Sequence, residues 1–91
     1  SMKVRKRNGS IQAFSIDKIR LTLECISDDL NQPLTGSDLS LLTEEIERKV
    51  IQTGKSIIDS AEIKKIVVEV LEKLGFKRIA KAYDEFDKSK Y

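Results

Sequence analysis

Apolar residues recur at spacings of three and four in four separate stretches of the chain, the period of helices buried along one face. Ile16, Ile19, Leu23, Ile26 and Leu30 make the first stretch. Ser15 stands ahead of it as a natural N-cap, and Pro33, within residues 31–36, breaks it. The second carries Leu39, Leu42, Ile46 and Val50, with Leu41 and Ile51 widening the stripe. It opens at Thr35 or Ser37 and closes at Thr53-Gly54-Lys55. In the third, Ile63, Ile66, Val67, Val70, Leu71 and Leu74 follow Asp59-Ser60-Ala61-Glu62, which has the spacing of a capping box; Gly75 stops it. The fourth runs from about Lys77 to Asp87 and buries Ile79, Ala80, Ala82, Tyr83 and Phe86.

Residues 3–14 follow a different rule. Asn8-Gly9 is a strong two-residue hairpin signal, because a type I′ turn needs positive φ at both central positions. With that turn Lys6 faces Ile11, Arg5 faces Gln12 and Val4 faces Ala13. Val4, Lys6, Ile11 and Ala13 then share one face, and Arg5, Arg7, Gln12 and Phe14 the other. A lone hairpin is marginal in water, so it must rest on the helices. The expected fold is mainly α, a small four-helix bundle capped by an N-terminal β-hairpin. One domain spans 3–88, with 3–14 as the hairpin lid and 15–88 as the helical part. Ser1 ahead of Met2 reads as the scar of a cleaved tag, and 89–91 as a tail.

Composition narrows the chemistry. The chain has 91 residues, enough for one domain, with one Cys and no His. That excludes zinc fingers, disulfide scaffolds and Ser-His or Cys-His catalysis. Cys25, beside Leu21 on the first helix, reads as a small buried hydrophobe. Most carboxylates fall at solvent-facing helix positions, so the expectation is a binding or regulatory protein and not an enzyme. No apolar run reaches the ~18–20 residues of a membrane helix, and the first residues lack a signal peptide's apolar core. A cytoplasmic protein without membrane contact is expected.

Charge is laid out in zones. Residues 3–20 hold six bases against one acid, residues 21–62 nine acids against three bases, and residues 63–91 eight bases against five acids. The first zone is the informative one. Lys6 and Arg7 precede the Asn8-Gly9 turn, and the chain returns directly into a helix whose start holds Ser15, Asp17 and Lys18. Cations beside the free amides of a helix start attract phosphate.

The run Val4-Arg5-Lys6-Arg7-Asn8-Gly9-Ser10-Ile11-Gln12-Ala13-Phe14-Ser15-Ile16-Asp17-Lys18-Ile19 resembles the opening of the ATP-cone domain. Residues 58–67, with Asp59-Ser60-Ala61-Glu62-Ile63, are similar to a second signature of that family, and residues 79–86 to its closing helix, most of all in anaerobic ribonucleotide reductases. Asn8 stands where the family commonly has Asp, and Gln12 where an acid often sits. The resemblance implies an allosteric module that binds ATP or dATP and controls the activity or assembly of a ribonucleotide reductase or a related nucleotide-regulated protein, a transcriptional repressor included. It leaves open whether Mg²⁺ accompanies the nucleotide. The implied nucleotide-binding residues are Val4, Lys6, Arg7, Asn8, Gly9, Gln12, Ser15, Asp17, Lys18, Ile19, Ser60, Lys64 and Lys88. Of these, Lys6, Arg7, Lys18 and Lys64 would hold phosphates, Ser15 and Ser60 would donate to phosphate or ribose, and Asp17 would accept from the adenine amino group. Lys88 or Lys90 would close over the phosphates. Tyr83 and Phe86 are assigned to the core rather than to base stacking.

A reductase catalytic domain or further copies of the chain are the expected partners. The alternatives are a small nucleic-acid-binding module or a helical interaction module using the same basic hairpin. Nucleic acid is not expected as a partner, since the hairpin lacks exposed aromatic side chains for stacking and the acidic middle zone repels a phosphate backbone.

Overall fold

The computed structural model describes residues 1–86. Its four helices are α1 (Ile16–Asp29), α2 (Gly36–Gln52), α3 (Ser60–Lys73) and α4 (Lys77–Asp84). They lie where the apolar spacing puts them. Helix α1 packs on α2 and α4, and α3 packs on the same two, so the helices close a ring. Inside it Leu23, Leu42, Ile46, Val50, Val67, Leu71 and Ile79 are fully buried. Leu41 and Ile51, expected to widen the stripe of α2, are instead 53% and 63% exposed. The helix buries a single face against its two neighbours, and those positions fall outside it. Helix α4, expected to run to about Asp87, stops at Asp84 with Glu85 as its C-cap, and Phe86 already lies beyond the helix.

The β-structure differs from a hairpin lid. Strands β1 (Lys3–Arg5), β2 (Ile11–Ala13) and β3 (Ile57–Asp59) form one mixed sheet in the order β2-β1-β3, antiparallel on one side of β1 and parallel on the other. The N-terminal strand is therefore the middle of a sheet, tied to residues 57–59 by a ladder as well as by packing. Three residues are too few for β3 to show a period. Its Ile58 is fully buried and anchors the sheet on the helices together with Val4.

Register is also displaced by one residue from the expected one: Val4 opposes Gln12, and Arg5 opposes Ile11. The Gly9 N–H donates to the Lys6 carbonyl at 2.9 Å, and the Lys6 N–H to the Ser10 carbonyl at 2.8 Å. Only Gly9 has positive φ, at 86°; Asn8 does not. The loop is thus three residues long, Arg7-Asn8-Gly9, with glycine in the left-handed position. Asn8 has another task, since its Oδ1 accepts from the Ser10 N–H at 3.0 Å. A one-residue slip exchanges the faces of a strand. Gln12 therefore shares a face with Val4 and Lys6, while Ile11 falls on the other face and is 44% exposed.

Helix starts separate into two kinds. Thr35, the N-cap of α2, accepts from the Asp38 N–H at 3.0 Å, and the Asp38 carboxylate accepts from the Thr35 N–H at 3.0 Å. Ser15 occupies the N-cap of α1 and Asp59 that of α3, yet neither side chain caps. The capping box expected at residues 59–62 is absent because its acids are engaged elsewhere. Asp59 pairs with Arg5 at 3.1 Å, and Glu62 with Lys55 at 2.6 Å.

Candidate functional site

A cleft of about 720 Å³ opens where the sheet meets the starts of α1 and α3 and the end of α4. The register of β1 and β2 supplies one wall: Val4, Lys6 and Gln12 share a strand face, with Arg7 and Asn8 in the adjoining loop. Helix α1 contributes Ser15, Lys18 and Ile19 from its first turn. Helix α3 contributes Ser60, Ala61, Ile63 and Lys64, and α4 ends in the cleft with Tyr83, Asp84, Glu85 and Phe86.

Ten of the thirteen positions named from sequence thus line one cavity: Val4, Lys6, Arg7, Asn8, Gln12, Ser15, Lys18, Ile19, Ser60 and Lys64. Gly9 and Asp17 do not line it. Gly9 shapes the loop, and Asp17 is exposed on the first turn of α1, where a carboxylate complements the helix dipole. Lys88 and Lys90 lie outside the described residues.

Sequence reasoning missed Ala13, Phe14, Ala61, Ile63, Asp84 and Glu85, and placed Tyr83 and Phe86 only in the core. Both aromatics do pack against the core, half-buried, and they also face the cleft. Burial pushes the Tyr83 hydroxyl up to about 12. Ile63 and Lys64 follow Ser60 within one helical turn, a spacing that flags them once Ser60 is suspected. The end of α4 carries no such local signal, because its place at the cleft is a property of the tertiary fold.

The lining is chemically mixed. Lys6, Arg7, Lys18 and Lys64 bring four cations from three elements, beside two helix starts that no side chain caps. Phe14, Tyr83, Phe86 and Ile63 offer flat and apolar surface. Asp84 and Glu85 add two carboxylates, and the Asp84 Oδ1 stands 3.9 Å from the Lys64 Nζ. Such a lining suits a ligand that combines a polyanionic group with an aromatic ring. Among the described residues no group of three or more His, Cys, Asp or Glu side chains gathers to hold a metal ion. No helix among them is long and apolar enough to cross a membrane.

The family model of the ATP cone domain matches residues 2–89. The chain belongs to the ATP cone family. Relatives of this cone include proteins named transcriptional repressor NrdR. The one from Persephonella marina is 31% identical over 86 residues, covering 91% of this chain and 55% of its own length. That of Leifsonia xyli subsp. xyli is 32% identical over 90 residues, covering 96% of the chain and 56% of its own length. A third, from Clavibacter sepedonicus, is 31% identical over 90 residues with the same coverage. The cone spans little more than half the length of each. These relatives are regulators by name, not enzymes. They also correct the expectation against nucleic acid, because transcriptional repressors act at DNA. The acidic middle zone belongs to these 91 residues, whereas the relatives are well over half as long again.

Proposed function

We propose that this cone is the adenine-nucleotide sensor of a regulatory protein, binding ATP or dATP in the cleft between the sheet, α1, α3 and α4. One observation carries the reading: four cations and two uncapped helix starts meet an aromatic wall within a single cavity. A triphosphate of about four negative charges needs several cations and donors at once, and few other metabolites also present a flat ring. In this reading Lys6, Arg7 and Lys18 hold phosphates, together with the amides at the starts of α1 and α3. The base lies against Phe14, Tyr83 or Phe86. Gln12, brought to the cleft face by the observed register, donates or accepts at the base or ribose.

The relatives favour a DNA-acting repressor over a reductase subunit as the setting, with ribonucleotide reduction as the process controlled. Occupancy of the cleft then alters how copies or partners assemble. ATP and dATP differ by one hydroxyl, and one hydrogen bond is worth ~0.5–1.5 kcal/mol, so discrimination within the cleft is a few-fold and larger selectivity arises from assembly.

Calorimetric titration with ATP, dATP and GTP tests the reading. Both adenine nucleotides bind, and Lys6→Ala weakens ATP at least about tenfold with the far-ultraviolet circular dichroism unchanged. A wild-type chain that ignores millimolar ATP and dATP overturns it.

A further inference from the structure

Two carboxylates in a cavity built for phosphates need an explanation, and the surroundings of Asp84 supply one. Asp84 is the last residue of α4, where a negative charge opposes the helix dipole, and the adjoining cap residue Glu85 adds a second. Among the described residues the one ion pair recorded for Asp84 is with Lys64. The pair bridges α3 and α4 across the cleft at 3.9 Å, beyond hydrogen-bonding reach, with the side chains 34% and 66% exposed. A long, exposed pair of this kind is weak, and a stronger anion displaces it.

The geometry points to Asp84 as an internal competitor of the ligand: its carboxylate neutralises Lys64 when the cleft is empty, and a phosphate must take Lys64 from it. Asp84 thereby sets the nucleotide concentration at which the cleft fills. This rests on the nucleotide reading for the identity of the ligand, and only on the phosphate for the competition. A carboxylate already beside Lys64 loses no translational freedom by pairing, so it competes effectively although each contact is weak. The more highly charged phosphate prevails because it engages Lys6, Arg7 and Lys18 at the same time. A sensor needs such a threshold, since a site filled at every physiological concentration reports nothing.

The test is a double-mutant cycle between Asp84→Asn and Lys64→Gln, read by calorimetric titration with ATP and, separately, inorganic tripolyphosphate. With Lys64 present, Asp84→Asn tightens both ligands about three- to fivefold at low salt, an advantage that shrinks as salt rises. In the Lys64→Gln background the same substitution changes affinity little. Glu85→Gln, which removes a neighbouring charge from the same cavity, tightens binding less than Asp84→Asn does. Equal tightening by Asp84→Asn in both backgrounds would mean that bulk repulsion is at work and would overturn the proposal. So would no tightening in either. A wild-type chain that binds ATP while the cycle shows no coupling sinks the competitor and leaves the nucleotide reading standing. Binding of neither ATP nor tripolyphosphate by the wild type overturns both.

Discussion

Helix α2 begins with a reciprocal cap in which Thr35 and Asp38 each satisfy the other's backbone N–H, and its start lies away from the cleft. Helices α1 and α3 begin with Ser15 and Asp59, equally good capping residues by type, and neither is used. The difference follows what each start faces. Where the first turn meets solvent, the chain satisfies its own amides. Where the first turn lines the cleft, no side chain takes the amides, and at α3 the local acids pair with Arg5 and Lys55 instead. Whether a helix start is closed by its own side chains is thus not decided by the identity of the capping residue alone, and in the nucleotide reading the two open starts are those offered to phosphate.

The comparison can be broken most visibly at Ser15. Asp there supplies a carboxylate to the first turn of α1, so the domain gains about 0.5–1 kcal/mol in denaturant unfolding, while ATP affinity falls about tenfold or more through like-charge repulsion. Gain of stability together with unchanged ATP affinity would separate that helix start from the phosphates.

Gly9→Val acts on the loop that carries Arg7 and Asn8. A Cβ at Gly9 meets nothing within 4 Å, so the cost, about 1–2 kcal/mol, comes from its φ of 86° alone. Thermal unfolding measures it, and Gly9→Ala should recover part of the loss relative to Val.

Deleting the caps sharpens the contrast further. Thr35→Ala costs about 1 kcal/mol and leaves ATP affinity unaltered. Asp59→Ala loses an exposed pair with Arg5 and the attraction of its carboxylate to the start of α3, about 0.5 kcal/mol together, and Ser15→Ala loses no cap bond at all. Equal losses at the three positions, measured by urea unfolding, would show that the distinction between helix starts has no energetic content.

The four helices were legible because the spacing of Leu39, Leu42, Ile46 and Val50, and its counterparts, has no other cheap solution. The sheet was harder to read. Asn8-Gly9 fits a two-residue turn with both φ values positive and also a three-residue loop that asks this of Gly9 alone. The choice rests on the Asn8 side chain reaching the Ser10 N–H, which no local rule foretells. Strand β3 is invisible for another reason: Ile57 and Ile58 acquire meaning only beside β1, more than fifty residues away. The cleft divides likewise. Its cationic end comes from short local motifs around Lys6 and Ser15, which a linear reading can find. Its two carboxylates and two of its aromatic side chains come from the end of α4, which reaches the cavity only because the ring of helices closes.

The parallel pairing of β1 with β3 also has a kinetic consequence. Arg5 and Asp59, partners across that pairing, are 54 residues apart in the chain, with β2, α1, α2 and their connections between them. Closing so long a segment costs entropy that only the finished contacts return, so this pairing belongs to the late, non-local part of folding. Lys6 sits one residue beyond one side of the pairing, and Ser60 one residue beyond the other. The two halves of the cleft therefore meet only when the pairing forms. A chain whose first strand has not paired with its third does not hold the assembled cleft. In the nucleotide reading proposed above, a filled cleft therefore reports that the first strand has paired with the third.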